Sequence, residues 1–174
     1  DPEIELCLAG YDNTHPNMEQ FYNTCYAKVA EYQQKGFKIA HLGALSKKEL
    51  YELYKTCTLY IYPTAFHETS CITAMESQMC GIPMITSHIG ALPETLCNEG
   101  NILVYGDYKN EPEYNEEFVE RTYELLNDPD RIKEMQTKCF AKAQEYKWSD
   151  LAQEWDNLFH EIFAEKTANK ERLV

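Results

Sequence analysis

Short apolar runs and helical stripes alternate along the first two thirds of the chain. Ile4 to Gly10, IELCLAG, is an apolar run closed by glycine and predicts a first strand. The polar cluster Tyr11 to Pro16 is then the loop at its carboxyl end, where ligands gather in an open α/β sheet. Met18, Phe21, Tyr22, Cys25, Tyr26, Val29 and Tyr32 follow at helical spacing, stopped by Gly36. Phe37 to Gly43, FKIAHLG, predicts the second strand. Ser46-Lys47-Lys48-Glu49 has the form of a capping box opening a helix through Leu50, Tyr51, Leu53 and Tyr54.

The stretch from Thr58 to Thr95 organises the rest. Leu59 to Tyr62 is a β-branched and aromatic run that Pro63 stops, because proline has no N–H for a strand to donate. A loop begins near Thr64. Ile72, Met75 and Met79, with Ala74 beside them, predict the apolar stripe of a helix that Gly81 and Pro83 end. Pro83 to Ser87 reads as a fourth strand, Pro93-Glu94 as the start of a short helix, and Asn101 to Tyr105 as a fifth strand.

Beyond Glu113 the pattern is helical. Phe118, Val119, Tyr123, Leu125 and Leu126 fall in one helix, Ile132, Met135, Cys139 and Ala143 in the next, and Leu151 to Phe163 in a last one, before a polar tail, Lys166 to Val174, expected to fray. Asp128-Pro129-Asp130 reads as an N-cap and first-turn proline between two helices, not as a metal-binding acid pair. Strands alternating with helices predict an α/β fold: a Rossmann-like open parallel sheet, right-handed crossovers, helices on both faces and a helical C-terminus.

Composition narrows the function. The 174 residues are about one domain. A net charge of -13 argues against nucleic acid or an anionic membrane surface as partner, since both need a positive face. Seven cysteines, an odd set without C-x-x-C, read as reduced thiols of a cytoplasmic protein. No stretch reaches the length of a membrane span. The histidines have no metal-ligand spacing, and no metal or other cofactor is expected.

Two acids stand out. Glu68 falls just before the central helix and Glu76 inside it. Were both helical, they would lie about 80° apart around the axis and about 12 Å along it. From the loop, Glu68 can instead fold back over the helix start, so that both grip one elongated ligand. Between them, the N–H groups of Thr69, Ser70, Cys71, Ile72 and Thr73 include the unpaired donors of the first helical turn, which suit a phosphate. The plainer readings are a capping role for Glu68 and a solvated face for Glu76. Glu76 lies near the predicted buried stripe, where an uncompensated charge is costly. Cys71 reads as a small apolar residue, since no partner base for a nucleophile is identifiable.

Glu68-x7-Glu76, Gly81-Ile82-Pro83-Met84-Ile85-Thr86-Ser87 and Gly90-Ala91-Leu92-Pro93-Glu94 together resemble the donor-binding core of retaining GT-B glycosyltransferases of the family 4 type. Thr69 and Cys71 stand where that family most often has glycine. The resemblance implies the C-terminal half of a two-domain enzyme, with a single Rossmann-like nucleotide-sugar-binding domain over residues 1–174. The acceptor-binding N-terminal domain and the pyrophosphate-binding Arg and Lys would lie outside this chain, and the full-length protein could be membrane-peripheral. It implies a UDP- or GDP-linked sugar as substrate, Glu68 as the catalytic-site acid on the donor hexose hydroxyls, Glu76 on the ribose, and Gly43, Ala44 and Leu45 against the base. It also implies a last helix that crosses toward the other domain, and no required metal.

Three rivals stand beside this. A Rossmann dehydrogenase would need G-x-G-x-x-G after the first strand, where the chain has Gly10-Tyr11-Asp12-Asn13. A glycosidase would need both acids to face one sugar at a set distance. The third is a degenerate, non-catalytic GT-B-like binding module, for which Thr69 and Cys71 speak.

Overall fold

Five strands, each paired in parallel with its neighbour, and seven α-helices account for most of the described residues, 3–10, 16–106 and 111–171 of a computed structural model, with side chains to residue 167. The chain divides into two compact units, Asp1–Leu53 and Tyr54–Val174.

In the first unit β1 (Glu5–Ala9) pairs in parallel with β2 (Lys38–Gly43), Leu6 opposite Ile39 and Leu8 opposite His41. The crossover runs through a 3-10 turn, Pro16–Met18, and α1 (Glu19–Gln34). Aromatic edges join the layers: Tyr26 meets His41 at 4.9 Å between ring centroids, and Tyr32 meets Phe37 at 5.7 Å. Of the expected apolar stripe of α1, Phe21, Cys25 and Tyr32 are exposed and Met18, Tyr22, Tyr26 and Val29 only half-buried. The loop expected to gather ligands after β1 falls, at residues 11–15, outside the described residues. Helix α2 (Lys47–Tyr54) opens in the predicted capping box: Ser46 N–H and Oγ donate to Glu49 Oε2 at 2.8 and 2.6 Å, and Glu49 N–H returns to Ser46 Oγ at 3.3 Å.

In the second unit β3 (Tyr60–Tyr62), β4 (Met84–Ser87) and β5 (Ile102–Val104) form a parallel sheet in that order. Strand β4 is central, and all four of its residues are buried. The period of two sorts its side chains onto two layers. Ile85, Ile102 and Val104 pack against Tyr114, Phe118 and Leu125 of α5 (Pro112–Leu126) and Ile132 and Met135 of α6 (Pro129–Ala143). Met84, Tyr60, Tyr62 and Leu103 pack the other way, against Cys71, Ala74 of α3 (Ile72–Met79), and Leu92 and Leu96 at α4 (Leu92–Thr95). Asp128 caps α6 by accepting from Arg131 N–H at 3.0 Å, which is the structural role read from Asp128-Pro129-Asp130.

The buried face of α3 differs from the sequence expectation. Ala74, Ser77 and Gln78 are buried, whereas Ile72 and Met79 are 56% and 43% exposed. Hydrogen bonding, invisible to hydropathy, explains the swap. Gln78 Nε2 donates to Thr95 O at 3.1 Å, and its Oε1 accepts from Cys97 N–H at 2.9 Å and Asn101 Nδ2 at 3.2 Å. Asn101 Oδ1 in turn accepts from Met84 N–H at 2.8 Å, and its Nδ2 also donates to Cys97 O at 2.9 Å. A satisfied polar network therefore ties α3, α4 and β4 together. Asn101→Leu, which strands the buried Met84 N–H, is expected to destabilise the protein by about 2 kcal/mol, read as a lower midpoint in urea denaturation.

Helix α7 (Trp148–Glu171) continues past Lys166 into the tail expected to fray, and residues 172–174 lie outside the described residues. Trp148, Trp155, Phe159 and Phe163 stand exposed along it. None of the seven cysteines is in a disulfide. Among the described residues no helix is long and apolar enough to cross a membrane, and no cluster of three His, Cys, Asp or Glu could hold a metal ion.

Candidate functional site

The candidate residues Glu68, Thr69, Ser70, Cys71, Ile72, Thr73 and Glu76 lie along one loop and helix of the second unit, whereas Gly43 and Leu45 belong to the first. Pro63 ends β3 and sends the chain into a loop fixed at both ends. Thr64 N–H donates to Ser87 Oγ at 2.9 Å, and Ser87 Oγ shares a 2.8 Å hydrogen bond with Tyr114 OH, so the first loop residue hangs on the carboxyl end of the central strand. At the far end, Thr95 Oγ1 donates to Ser70 O at 3.0 Å.

Between these anchors the Glu68 peptide is clamped. Ala91 N–H donates to Glu68 O at 2.8 Å, and Glu68 N–H donates to Phe66 O at 3.0 Å. Gly90 presses so closely that a Cβ on it would stand 2.6 Å from Glu68 O and 2.7 Å from Glu68 N. The Glu68 side chain is half-buried, and Tyr62 OH donates to its Oε1 at 2.8 Å. Burial first, and then the bond to Glu68, push the Tyr62 phenol up to about 12. Thr69, Ser70 and Ile72 are exposed around this point.

Cys71 precedes α3 in the left-handed region, φ 50 and ψ 77, and is the one non-glycine residue at positive φ among those described. Such a backbone costs an L-residue about 1–2 kcal/mol. A glycine-type conformation is thus kept at this position by a cysteine that is also 6% exposed and packed in the core. No side-chain cap is made at Cys71, and the amides of Ile72 and Thr73 begin the first turn.

Glu76 sits one turn into α3, half-buried, with Oε2 covered. After burial and the neighbouring Tyr60, its negative charge helps raise the pKa of Tyr54; after burial it does the same for Cys80. The rings of Tyr54, Tyr60 and Tyr62 follow one another at 5.8 and 6.1 Å, so an aromatic row runs from the neighbourhood of Glu76 to Glu68. Sequence reasoning missed Tyr62, and it carried Gly90 only as part of the Gly90-Ala91-Leu92-Pro93-Glu94 motif, without its approach to Glu68. The available signals were a tyrosine across Pro63 from Glu68 and a glycine in the loop after β4. Glu94 is exposed on α4, in keeping with a helix-starting role, and His67 is exposed on the loop.

A sequence profile described as "Glycosyl transferases group 1" matches residues 1–146. The chain belongs to the group 1 glycosyltransferase family. Within it, alpha-maltose-1-phosphate synthase of Mycolicibacterium smegmatis is 20% identical over 168 residues, 94% of this chain and 42% of the synthase. Sucrose-phosphate synthase of Thermosynechococcus elongatus superposes with a TM-score of 0.71 at 21% identity, over 92% of this chain and 39% of its own. The Anabaena protein HepE superposes with TM-scores of 0.78 in complex with UDP and 0.74 with UDP-glucose, at 14% and 16% identity, over 92% of this chain and 42% of HepE. At these identities the likeness speaks for the fold, an α/β domain with parallel sheets of the GT-B kind. The group 1 chain thus spans about two fifths of the length of these relatives.

Proposed function

We propose that this chain is the donor-binding half of a retaining GT-B glycosyltransferase of the family 4 type, moving a hexose from a nucleotide diphosphate sugar to an acceptor held by a second domain. The observation that carries the reading is the membership of the group 1 glycosyltransferase family together with the placement of Glu68 and Glu76. One acid is clamped on the loop before α3, the other lies a turn inside the helix, and the first-turn amides stand between them.

Each part has a role. Glu76 accepts from the ribose hydroxyls of the nucleotide. Thr69 to Thr73 present backbone N–H groups to the diphosphate, where the helix dipole favours negative charge as the leaving group departs. Glu68 accepts from the donor hexose and orients the sugar as positive charge develops at its anomeric carbon. No metal is required, because fixed dipoles stabilise the departing diphosphate. The HepE complexes with UDP and UDP-glucose favour a uracil nucleotide as the first to test.

Calorimetric titration with UDP-glucose, GDP-mannose and NAD tests the reading. Binding of one nucleotide sugar, with NAD inert, is expected. Binding of NAD instead, or of none of the three, would overturn it, and the last outcome would favour the degenerate binding module.

A further inference from the structure

Glu68 is the acid on which the proposed donor contact depends, and the protein restrains it from two directions. Its peptide is held by the loop after β4, through the Ala91 N–H bond and the close approach of Gly90. These contacts fix where the residue starts and leave its side-chain torsions open. A surface glutamate rotates about three bonds, and ordering it costs up to about 2 kcal/mol in lost rotamers. An orienting partner is therefore worth most when it is itself rigid.

Tyr62 meets that condition. It is the last residue of β3, in register with Thr86 of the central strand, whose Oγ1 donates to Tyr62 O at 2.6 Å. Its ring stacks on Tyr60 at 6.1 Å with an interplanar angle of 21° and, partly buried, packs against the core cluster that contains Met84 and Leu92. A tyrosine has only two side-chain torsions to order, against three for a glutamate, and the ring contacts restrict them. Its hydroxyl then reaches past Pro63 to Glu68 Oε1 at 2.8 Å. Among the described residues Glu68 Oε2 has no protein hydrogen bond, so one carboxylate oxygen is held by the sheet while the other is left for a ligand.

We propose that Tyr62 is a positioning residue for Glu68: its hydroxyl locks Oε1 so that Oε2 is presented to a hydroxyl of the donor sugar. This rests on the reading of Glu68 as the sugar-binding acid. The sheet, through one phenol, thereby sets the orientation of a loop acid before substrate arrives. Burial of the phenol, which keeps it protonated far above neutral pH, keeps it a donor throughout the working range.

Tyr62→Phe removes the hydroxyl and keeps the ring, so the fold is retained. With UDP-glucose and UDP as probes, the variant is expected to bind UDP-glucose about tenfold more weakly and UDP as the parent does. Tyr62→Phe added to Glu68→Ala should cost nothing further. Unchanged UDP-glucose affinity, or equal losses for both ligands, would overturn the proposal. A second readout needs no ligand. The side-chain rotamer order of Glu68, measured by three-bond NMR couplings, should fall in Tyr62→Phe. If the parent binds neither probe, the donor-binding reading fails while this measurement still decides whether Tyr62 orders Glu68, unchanged order overturning the proposal.

Discussion

Gly90→Ala is expected to destabilise the protein by about 3 kcal/mol and to weaken nucleotide-sugar binding with it. Two costs add. Gly90 has φ +56, a region that charges an L-residue about 1–2 kcal/mol. The new methyl would also stand 2.6 and 2.7 Å from Glu68 O and N, and relieving such overpacking costs about 1–3 kcal/mol more. The atoms that must yield are backbone, so the Glu68 peptide moves, loosening the Ala91 N–H bond. Gly43→Ala is the control, since Gly43 has φ +64 with nothing within 4 Å of its Cβ position and should lose only about 1–2 kcal/mol. Urea denaturation of the two variants separates the terms. If Gly90→Ala is no worse than Gly43→Ala, the clamp on Glu68 is not tight.

The element order was legible because strands and helices carry different hydrophobic periods. The IELCLAG and MITS runs, the capping box at Ser46 to Glu49 and the Asp128 N-cap all stand where the pattern placed them. The segment that carries the candidate site was legible as local structure, since Pro63, Glu68, Glu76 and Gly81 mark strand end, loop, helix and turn. What could not be read was partnership. The buried face of α3 is chosen by Gln78 and Asn101 hydrogen bonding with residues some twenty positions apart, which no local period encodes. The Tyr62 to Glu68 bond and the approach of Gly90 are likewise products of the fold. Cys71 is a subtler case. It stands where the resembled family most often has glycine, and the structure gives it both a positive φ and a place in the core, neither of which its residue type announces.

The second large effect concerns Glu76. A carboxylate accepting from two adjacent ribose hydroxyls makes charge-assisted hydrogen bonds, each worth about 1.5–3 kcal/mol. Glu76→Ala also removes a negative charge felt by Tyr54 and Cys80, so circular dichroism must first show the variant folded. Calorimetric titration of that folded variant with UDP and UDP-glucose, beside Glu68→Ala, tests whether the two acids hold opposite ends of one ligand. Glu76→Ala should weaken both ligands about 100-fold, whereas Glu68→Ala should weaken UDP-glucose and leave UDP as it was. Parent-like affinity for UDP in folded Glu76→Ala would contradict the account.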